Sequence, residues 1–471
     1  MITYSYKALE SRQVDQELIG HLLQAFETSD TFPSIGQLED TQPTVSIIDY
    51  PCGFGKTTTL IETIAQLSEL KFLIVVQTLD EVRRVLQEAP EGRLKSPESP
   101  STSGKTKSQQ LEDLVLSGAS IVITHALYER AGTLALEGGL NHYNVIIDEV
   151  PNAVTVARQV SFQSFQKHYL EPGYCEVAPS GLVSPTEKGL SEADSLKEVM
   201  DGKTMEDLFS GRLFHDGLSH LIQTIPVYLF TRPLSVTVLT FMAEGTLFTK
   251  FLSKSDIDYQ ILKGASAAAV FRETARQKLS IRTIPALEDV SFAFNKQQSY
   301  RPKSKEVRKV NDALKNLRQR KLADVPLADL MVTCAKSNWY HSAIELSKAG
   351  PFAKLSRMFK GTNWVPNTTR GTNNYSHCSH AVYLYEQNAN PVLLQWLGAN
   401  TRAFRDAYAL SEMIQWIWRT QIRNGEPVCV YMPSKKMRVI VERWLGVVLP
   451  FTSIIYIAAP SHHSFRVVCS Y

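Results

Sequence analysis

Short, continuous apolar runs alternate with amphipathic stretches along the first third of the chain. The runs lie within residues 45–48, 71–77, 120–125 and 144–149. Apolar residues without polar alternation are typical of strands that are buried on both faces. Helical patterns separate the runs, at residues 60–70, 79–88, 108–116 and 126–136. Strands that alternate with helices at this spacing predict an α/β fold with a parallel sheet covered on both sides.

The rest of the chain repeats this pattern less regularly. Proline and glycine punctuate residues 172–189, and helix-like pieces follow, which predicts a partly helical insertion at about 151–230. Apolar runs at 235–240, 278–284, 330–334, 381–385 and 427–431 predict further strands, with a second α/β unit starting near Ile257. We therefore expect an N-terminal extension at 1–42, a first domain at 43–255, a second domain at 256–450 and a tail at 451–471.

Composition narrows the class of protein. A chain of 471 residues suits two or three domains, and 44% hydrophobic with 21% charged residues is ordinary for a soluble protein. Neither a run of roughly 20 apolar residues nor a signal-peptide pattern is present, so we expect a cytoplasmic protein that does not enter a membrane. The six scattered cysteines suggest neither a disulfide framework nor a zinc site.

The strongest chemical signal follows the first apolar run, at residues 49–59. Gly53 and Gly55 flank Phe54 and precede Lys56, Thr57 and Thr58, so the pattern reads strand, tight loop, helix. Glycines let a backbone curl around a phosphate, and the following helix N-terminus favours negative charge. Lys56 would reach the β and γ phosphates, and the Thr57 hydroxyl would hold Mg²⁺. The alternative is a structural glycine turn before a helix.

The chain contains its own control for this motif. The tripeptide recurs at Gly104-Lys105-Thr106, but its surroundings are rich in serine and proline and no strand precedes it. We interpret this second copy as a solvated loop.

Two carboxylates, Asp148 and Glu149, end the run at 144–149. Ligands of parallel sheets bind at the carboxyl ends of strands, so this edge would face the phosphate loop. Asp148 would hold Mg²⁺, and Glu149 would orient and deprotonate the attacking water. A solvated acidic turn is the alternative when the motif is taken alone.

Residues 51–57 and the pair Asp148-Glu149, in this order, resemble motifs I and II of superfamily 2 helicases. Gln77-Thr78 occupies the place of the next motif, and Thr124-His125 resembles the one after it. The resemblance implies that Thr78, Thr124 and His125 contact the backbone of a nucleic acid. At the expected motif III only Thr240 keeps the family's chemistry.

Two more matches lie in the C-terminal half. Arg370, Gly371 and Thr372 resemble motif V, which contacts nucleic acid and nucleotide. Gln415, Arg419 and Arg423 resemble motif VI, whose arginines reach the γ-phosphate from the second domain. These three residues recur every four positions and would share one face of a helix. The second arginine falls eight rather than seven residues after the glutamine, and Trp418 replaces a glycine, so the alternative is an exposed basic helix face.

The resemblance implies two RecA-like P-loop NTPase domains around an ATP and Mg²⁺ site, with single-stranded nucleic acid, DNA favoured over RNA, across both. The layout is also similar to helicases of phages and mobile elements. We therefore expect an ATP-dependent helicase or translocase. Two alternatives stay open: a phage DNA-packaging motor, although residues 330–450 lack a nuclease-like carboxylate cluster, and a helicase-like module that binds nucleic acid without unwinding it.

Overall fold

The computed structural model describes residues 7–26, 44–98, 104–340, 349–354, 357–359, 361–369 and 373–446. The predicted motif V residues, Arg370, Gly371 and Thr372, lie outside these ranges, as does the predicted tail at 451–471. Two parallel sheets with helices around them form the fold, which confirms the predicted α/β class.

The first domain is built from the alternating elements that the apolar runs predict. Its elements up to the insertion are α1 (Lys7–Ala25), β1 (Val45–Asp49), α2 (Lys56–Gln66), β2 (Phe72–Val76), α3 (Leu79–Glu88), α4 (Lys107–Leu116), β3 (Ile121–Thr124), α5 (His125–Tyr128), α6 (Gly132–Leu136) and β4 (Asn144–Asp148). All five residues of β2 and of β4 are buried, as expected for strands covered on both faces. One helix predicted at 126–136 is in fact two short helices, α5 and α6.

An insertion separates β4 from the next strand of the first sheet. It comprises β5 (Val154–Gln159), α7 (Phe162–Phe165), a π-helical turn (Gln166–Leu170), β6 (Cys175–Val177), β7 (Val183–Pro185), α8 (Glu187–Ser191), α9 (Ala193–Val199), α10 (Gly202–Phe209), β8 (Leu213–His215), β9 (His220–Thr224) and α11 (Tyr228–Thr231). Strands β5, β9 and β8 form an antiparallel sheet, and β6 pairs with β7. Phe165, Val183 and Leu208 belong to a small core of its own.

The chain then returns to the first sheet and crosses to the second domain. The crossing elements are β10 (Ser235–Thr240), a 3₁₀ turn (Ala243–Gly245), α12 (Leu247–Lys254), β11 (Tyr259–Lys263) and α13 (Ala265–Lys278). The first sheet is parallel, in the order β11-β1-β10-β4-β2-β3. Because β11 pairs with β1, this sheet extends past residue 255, where the apolar pattern alone had placed its end.

The second domain has a parallel sheet in the order β12-β16-β15-β13-β14. Its elements are β12 (Leu279–Arg282), α14 (Phe294–Ser299), α15 (Lys305–Arg320), β13 (Leu330–Thr333), α16 (Lys336–Trp339), α17 (Pro351–Lys354), β14 (Asn363–Trp364), β15 (His380–Tyr383), α18 (Pro391–Trp396), α19 (Arg402–Ile417), β16 (Val428–Tyr431) and α20 (Lys435–Leu445).

The two domains share buried surface. Leu393, Leu394 and Phe404, from the segment between β15 and the body of α19, pack into the same apolar cluster as Val154 and Ile222. Helix α18 therefore docks the second domain onto the base of the insertion. Among the described residues, no helix is both long and apolar enough to cross a membrane.

Candidate functional site

The phosphate loop joins β1 to α2, as the sequence predicts. Gly53 and Gly55 adopt left-handed backbone angles, with φ of 86° and 73°, which side chains disfavour. Helix α2 begins at Lys56, so its first N–H groups open toward the loop. The buried Lys56 donates a hydrogen bond from Nζ to the carbonyl oxygen of Tyr50 at 2.9 Å. Phe54 points elsewhere and packs against Tyr50 and Phe271, with ring centroids 6.4 and 6.3 Å apart.

The end of β4 lies directly beside this loop. Thr57 Oγ1 donates to Asp148 Oδ2 at 2.8 Å, which brings together the two predicted Mg²⁺ ligands. The pKa of Asp148 is raised, chiefly by burial and then by the negative charge of Glu149, while Lys56 and the Thr57 hydrogen bond oppose the rise. A hydroxyl and a carboxylate at this spacing are the oxygen ligands that Mg²⁺ prefers. The residues present therefore fit a magnesium ion.

Glu149 has an unusual backbone. Its φ of 70° is left-handed, and its N–H donates to Leu239 O at 2.8 Å. The side chain is buried, and its Oε2 has no hydrogen-bond partner among the described residues. A buried acceptor without a partner is costly and is typical of functional sites, where substrate or water supplies the missing donor.

Arginines from the second domain complete the site, but not on one helical face. Helix α19 ends at Ile417, so Arg419 follows the helix and Arg423 lies in a 3₁₀ turn at Gln421–Asn424. Arg419 is buried, and the half-buried Arg423 donates to Asn373 Oδ1. The pKa of Arg423 is lowered, first by burial and then by the nearby charge of Arg419. Because Arg419 is buried and neither arginine lies on the helix, the two do not form an exposed basic helix face.

Gln415, the third predicted member of this group, has a different neighbourhood. It is buried on the last turn of α19, where its Nε2 donates to Ser411 Oγ at 3.1 Å and to Phe241 O at 3.4 Å. Phe241 belongs to the first domain, directly after β10. Gln415 therefore joins the two domains through the backbone beside Thr240.

A cavity of about 710 Å³ between the two domains collects most of the residues predicted for the nucleotide site, but not Phe54 or Gln415. The first domain contributes Gly53, Gly55, Lys56, Thr57 and Thr58, together with Asp148 and Glu149, and the second contributes Arg419 and Arg423. Its volume falls in the range of roughly 300–1,000 Å³ that is usual for small-molecule sites. We call it the nucleotide cavity.

Sequence reasoning missed several residues of the nucleotide cavity, above all Glu81 and Arg84 on α3. Glu81 forms a capping box with Thr78, and its Oε2 also accepts hydrogen bonds from the N–H groups of Gln77 and Thr78 at 3.1 and 3.3 Å. Burial, and next the charge of Asp148, raises the pKa of Glu81 to about 7. The capping signal was present in the sequence, but it indicates only a helix start and not a cavity wall.

The predicted nucleic-acid contacts lie next to this site. Thr78 and His125 line a second cavity, of about 540 Å³, between the domains. The Nε2–H of His125 donates to the carbonyl oxygen of Asp148 at 3.0 Å, while Thr124 ends β3 and is half-buried. The structure thus brings three of the six predicted contacts close to the nucleotide cavity, and the other three lie outside the described residues.

The second copy of the tripeptide also precedes a helix, but its lysine has different surroundings from Lys56 of the phosphate loop. Gly104 and Lys105 are exposed, Lys105 Nζ forms an ion pair with Asp113 at 2.7 Å, and Thr106 caps α4. Its lysine is therefore ion-paired at the surface, which agrees with the solvated loop expected there.

Two family models match the chain, one on each half. The model described as "Type III restriction enzyme, res subunit" matches residues 8–170, and "YonV C-terminal Rossmann-like domain" matches residues 274–445. The "SPbeta prophage-derived uncharacterized protein YonV" of Bacillus subtilis (strain 168) is 24% identical over 426 residues, which covers 85% of this chain and 98% of that protein.

Solved structures with low overall similarity to this chain include one titled "XPD_Helicase", with a TM-score of 0.43 at 13% identity, covering 93% of this chain and 97% of that one. The chain titled "XPD_APO" has a TM-score of 0.47 at 13% identity, covering 93% of this chain and 98% of that one. A Dbp5 variant from S. cerevisiae, bound to RNA and ADP BeF3, has a TM-score of 0.37 at 11% identity, covering 87% and 85%. The two family models, on an α/β chain with these motifs in this order, confirm its resemblance to superfamily 2 helicases.

Proposed function

We propose that this protein is a nucleic-acid-dependent ATPase of the superfamily 2 helicase type, which moves along single-stranded nucleic acid and separates duplexes. DNA is the favoured strand, and the cytoplasm of a host cell is the favoured location, because the curated relative is prophage-derived. The observation that carries the proposal is the nucleotide cavity, where Lys56 and Glu149 of one domain face Arg423 of the other.

The chemistry assigned to each residue follows from its position. Lys56 and the phosphate-loop N–H groups bind the β and γ phosphates of ATP. Thr57 and Asp148 are the residues that would hold Mg²⁺, which supplies neutralisation of phosphate charge when bound. Glu149, with its unpartnered Oε2, accepts a proton from the attacking water and aligns it.

The arginines make hydrolysis depend on the arrangement of the domains. Arg419 and Arg423 belong to the second domain, so their distance from a γ-phosphate changes whenever the domains shift. A guanidinium stabilises the charge of a phosphoryl transition state only when it is close. Binding of a strand across both domains would set that distance, which couples the strand to ATP turnover.

Steady-state ATP hydrolysis, with and without single-stranded DNA and RNA, tests this proposal. We expect turnover to rise with one polymer and to fall by at least about 100-fold in a Glu149→Gln variant, because the variant cannot accept a proton. A Glu137→Gln variant, which changes a carboxylate in the loop after α6 instead, serves as the control. Strand binding without any hydrolysis would contradict the enzyme and favour the non-catalytic module.

A further inference from the structure

The second cavity is not explained by ATP chemistry. Gln77 and Thr78 line both cavities, so the two share one wall. The remaining walls come from the first domain, including His125, Glu129 and Asn152, and from the second domain through Thr368 and α19. The cavity therefore lies where a strand that spans both domains would pass.

The charge of the second cavity does not suit a phosphate group. Among the described residues that line it there is no lysine or arginine, whereas two carboxylates, Glu129 and Glu412, do line it. Glu412 lies on α19 and is buried. Phosphodiesters are bound through cations, and a carboxylate in a poorly hydrated place repels them. A group that enters this cavity should thus be neutral.

The same lining is well suited to a nucleobase. Carboxylates accept hydrogen bonds from the exocyclic amino group of cytosine, and amide side chains such as Asn152 pair with adenine. The half-buried Tyr408 offers an aromatic ring of the kind on which unstacked bases rest. Thymine and uracil have no exocyclic amino group, so they cannot donate to the carboxylates in this way.

A hydrogen bond connects the second cavity to the residues proposed for ATP hydrolysis. His125 lines the second cavity and donates from Nε2 to the carbonyl oxygen of Asp148, whose carboxylate meets Thr57. A base that contacts His125 therefore acts on the backbone of a predicted Mg²⁺ ligand through one hydrogen bond.

We propose that the second cavity holds one unstacked nucleobase with an exocyclic amino group, cytosine, adenine or guanine, from the bound strand. This inference rests on the proposed function, because it needs a single strand that crosses both domains. A base site of this kind would give the proposed motor a base preference at one defined position, in addition to contacts with the sugar-phosphate backbone.

Fluorescence anisotropy with the full chain tests the base site. Labelled oligo-dC and oligo-dT of equal length are compared at one fixed salt concentration, because phosphate contacts depend strongly on salt. We expect oligo-dC to bind about tenfold more tightly than oligo-dT, as one good base contact provides. The ratio of the two affinities is the readout, since a general structural defect would weaken both polymers alike.

Two variants assign that ratio to the cavity. Glu412→Gln and Glu129→Gln keep the side-chain size but lose a charged acceptor, so we expect the preference for oligo-dC to shrink toward one in at least one of them. Glu273→Gln, which alters an exposed carboxylate on α13 that is ion-paired with Arg276, should keep the wild-type ratio.

Equal affinities in the wild type, or a ratio that neither cavity variant changes, would overturn the base site while leaving the ATPase intact. Binding of neither polymer, together with hydrolysis that no strand stimulates, would instead contradict the proposed function itself and the base site with it.

Discussion

The side chain of Arg423 lies against the α-carbon of Gly53, across the boundary between the two domains. A Cβ atom built on Gly53 would lie 3.2 Å from Arg423 Cγ and 3.7 Å from Trp418 Nε1. Gly53 is thus constrained twice, by its φ of 86° and by an arginine that would have to move. A side chain at residue 53 would therefore require Arg423 to shift by a few tenths of an ångström.

The first prediction concerns Gly53→Ala. We expect it to lower the free energy of unfolding by about 1–2 kcal/mol through left-handed strain and to reduce ATP turnover by displacing Arg423. Gly92→Ala is a matched control, because Gly92 has a φ of 75° but nothing within 4 Å of its Cβ position. Thermal unfolding and ATPase assays should show a similar loss of stability in both variants and a loss of turnover in Gly53→Ala alone. Equal turnover in the two variants would refute this role of the contact.

Replacing the arginines themselves should separate binding from catalysis. We expect Arg419→Ala and Arg423→Ala each to lower kcat at least about 100-fold, because transition-state charge loses its partner. ATP affinity, measured with a fluorescent analogue, should change much less. Arg402→Ala removes a largely exposed arginine from the start of α19, where it pairs with Asp406 at 3.9 Å, and should retain kcat. A purely structural role would lower affinity and stability instead.

Arg84 supplies a further cation from the first domain. It lines the nucleotide cavity and is among the charges that oppose the burial-driven rise in the pKa of Asp148. We expect Arg84→Ala to lower kcat/KM for ATP about tenfold, the value of one charge-assisted hydrogen bond. Its neighbour Arg83 is exposed and pairs with Asp80 at 2.6 Å, so Arg83→Ala is the control and should change kcat/KM less than twofold. Equal effects in the two variants would exclude a phosphate contact for Arg84.

The pKa of Glu81 predicts how stability depends on pH. It is raised from 4.5 to about 7, first by burial and then by the charge of Asp148. Between these values the folded protein keeps a proton that the unfolded chain has lost. Stability from this group is therefore present at low pH and falls as the pH rises from 4.5 through 7. Urea unfolding of the wild type and Glu81→Gln across this range should show the wild type losing stability relative to the variant, and parallel curves would contradict the shift.

The sequence predicted the parts of the nucleotide site that depend on local patterns better than the parts that depend on long-range contacts. Lys56 and Asp148 were identifiable because strand, loop and helix follow one another directly, and because carboxyl ends of parallel strands meet at one edge. Arg84 was not identifiable from the sequence, since its position in the cavity depends on how α3 packs against the sheet. The prediction that Gln415 and Arg419 share one helical face was wrong, because α19 ends between them. A periodic pattern does not reveal where a helix ends. The strand that begins at Tyr259 could not be assigned to a sheet, because the sequence of an edge strand does not indicate the strand with which it pairs.

The last prediction concerns the contact between the turn after β10 and α19. A Cβ atom on Gly245 would lie 2.6 Å from the carbonyl oxygen of Ala407 and 3.2 Å from Ser411 Cβ. Asp49 stabilises the same turn, because its carboxylate accepts hydrogen bonds from the N–H groups of Met242 and Ala243 at 2.7 and 3.1 Å. The turn at Gly245 therefore contacts α19, which precedes the arginine turn, and is hydrogen-bonded to the end of β1, where the phosphate loop starts.

Gly245→Ala should push α19 away and carry Arg419 with it. We expect a loss of about 1–3 kcal/mol of stability from overpacking and a fall in kcat, with ATP affinity retained. Gly202→Ala, where nothing lies within 4 Å of the Cβ position, is the control for the substitution itself. If Gly245 acts through Arg419, the double variant Gly245→Ala with Arg419→Ala should turn over ATP no more slowly than Arg419→Ala alone, because coupled residues are not additive. Losses that multiply would mean that the turn acts on hydrolysis by another route.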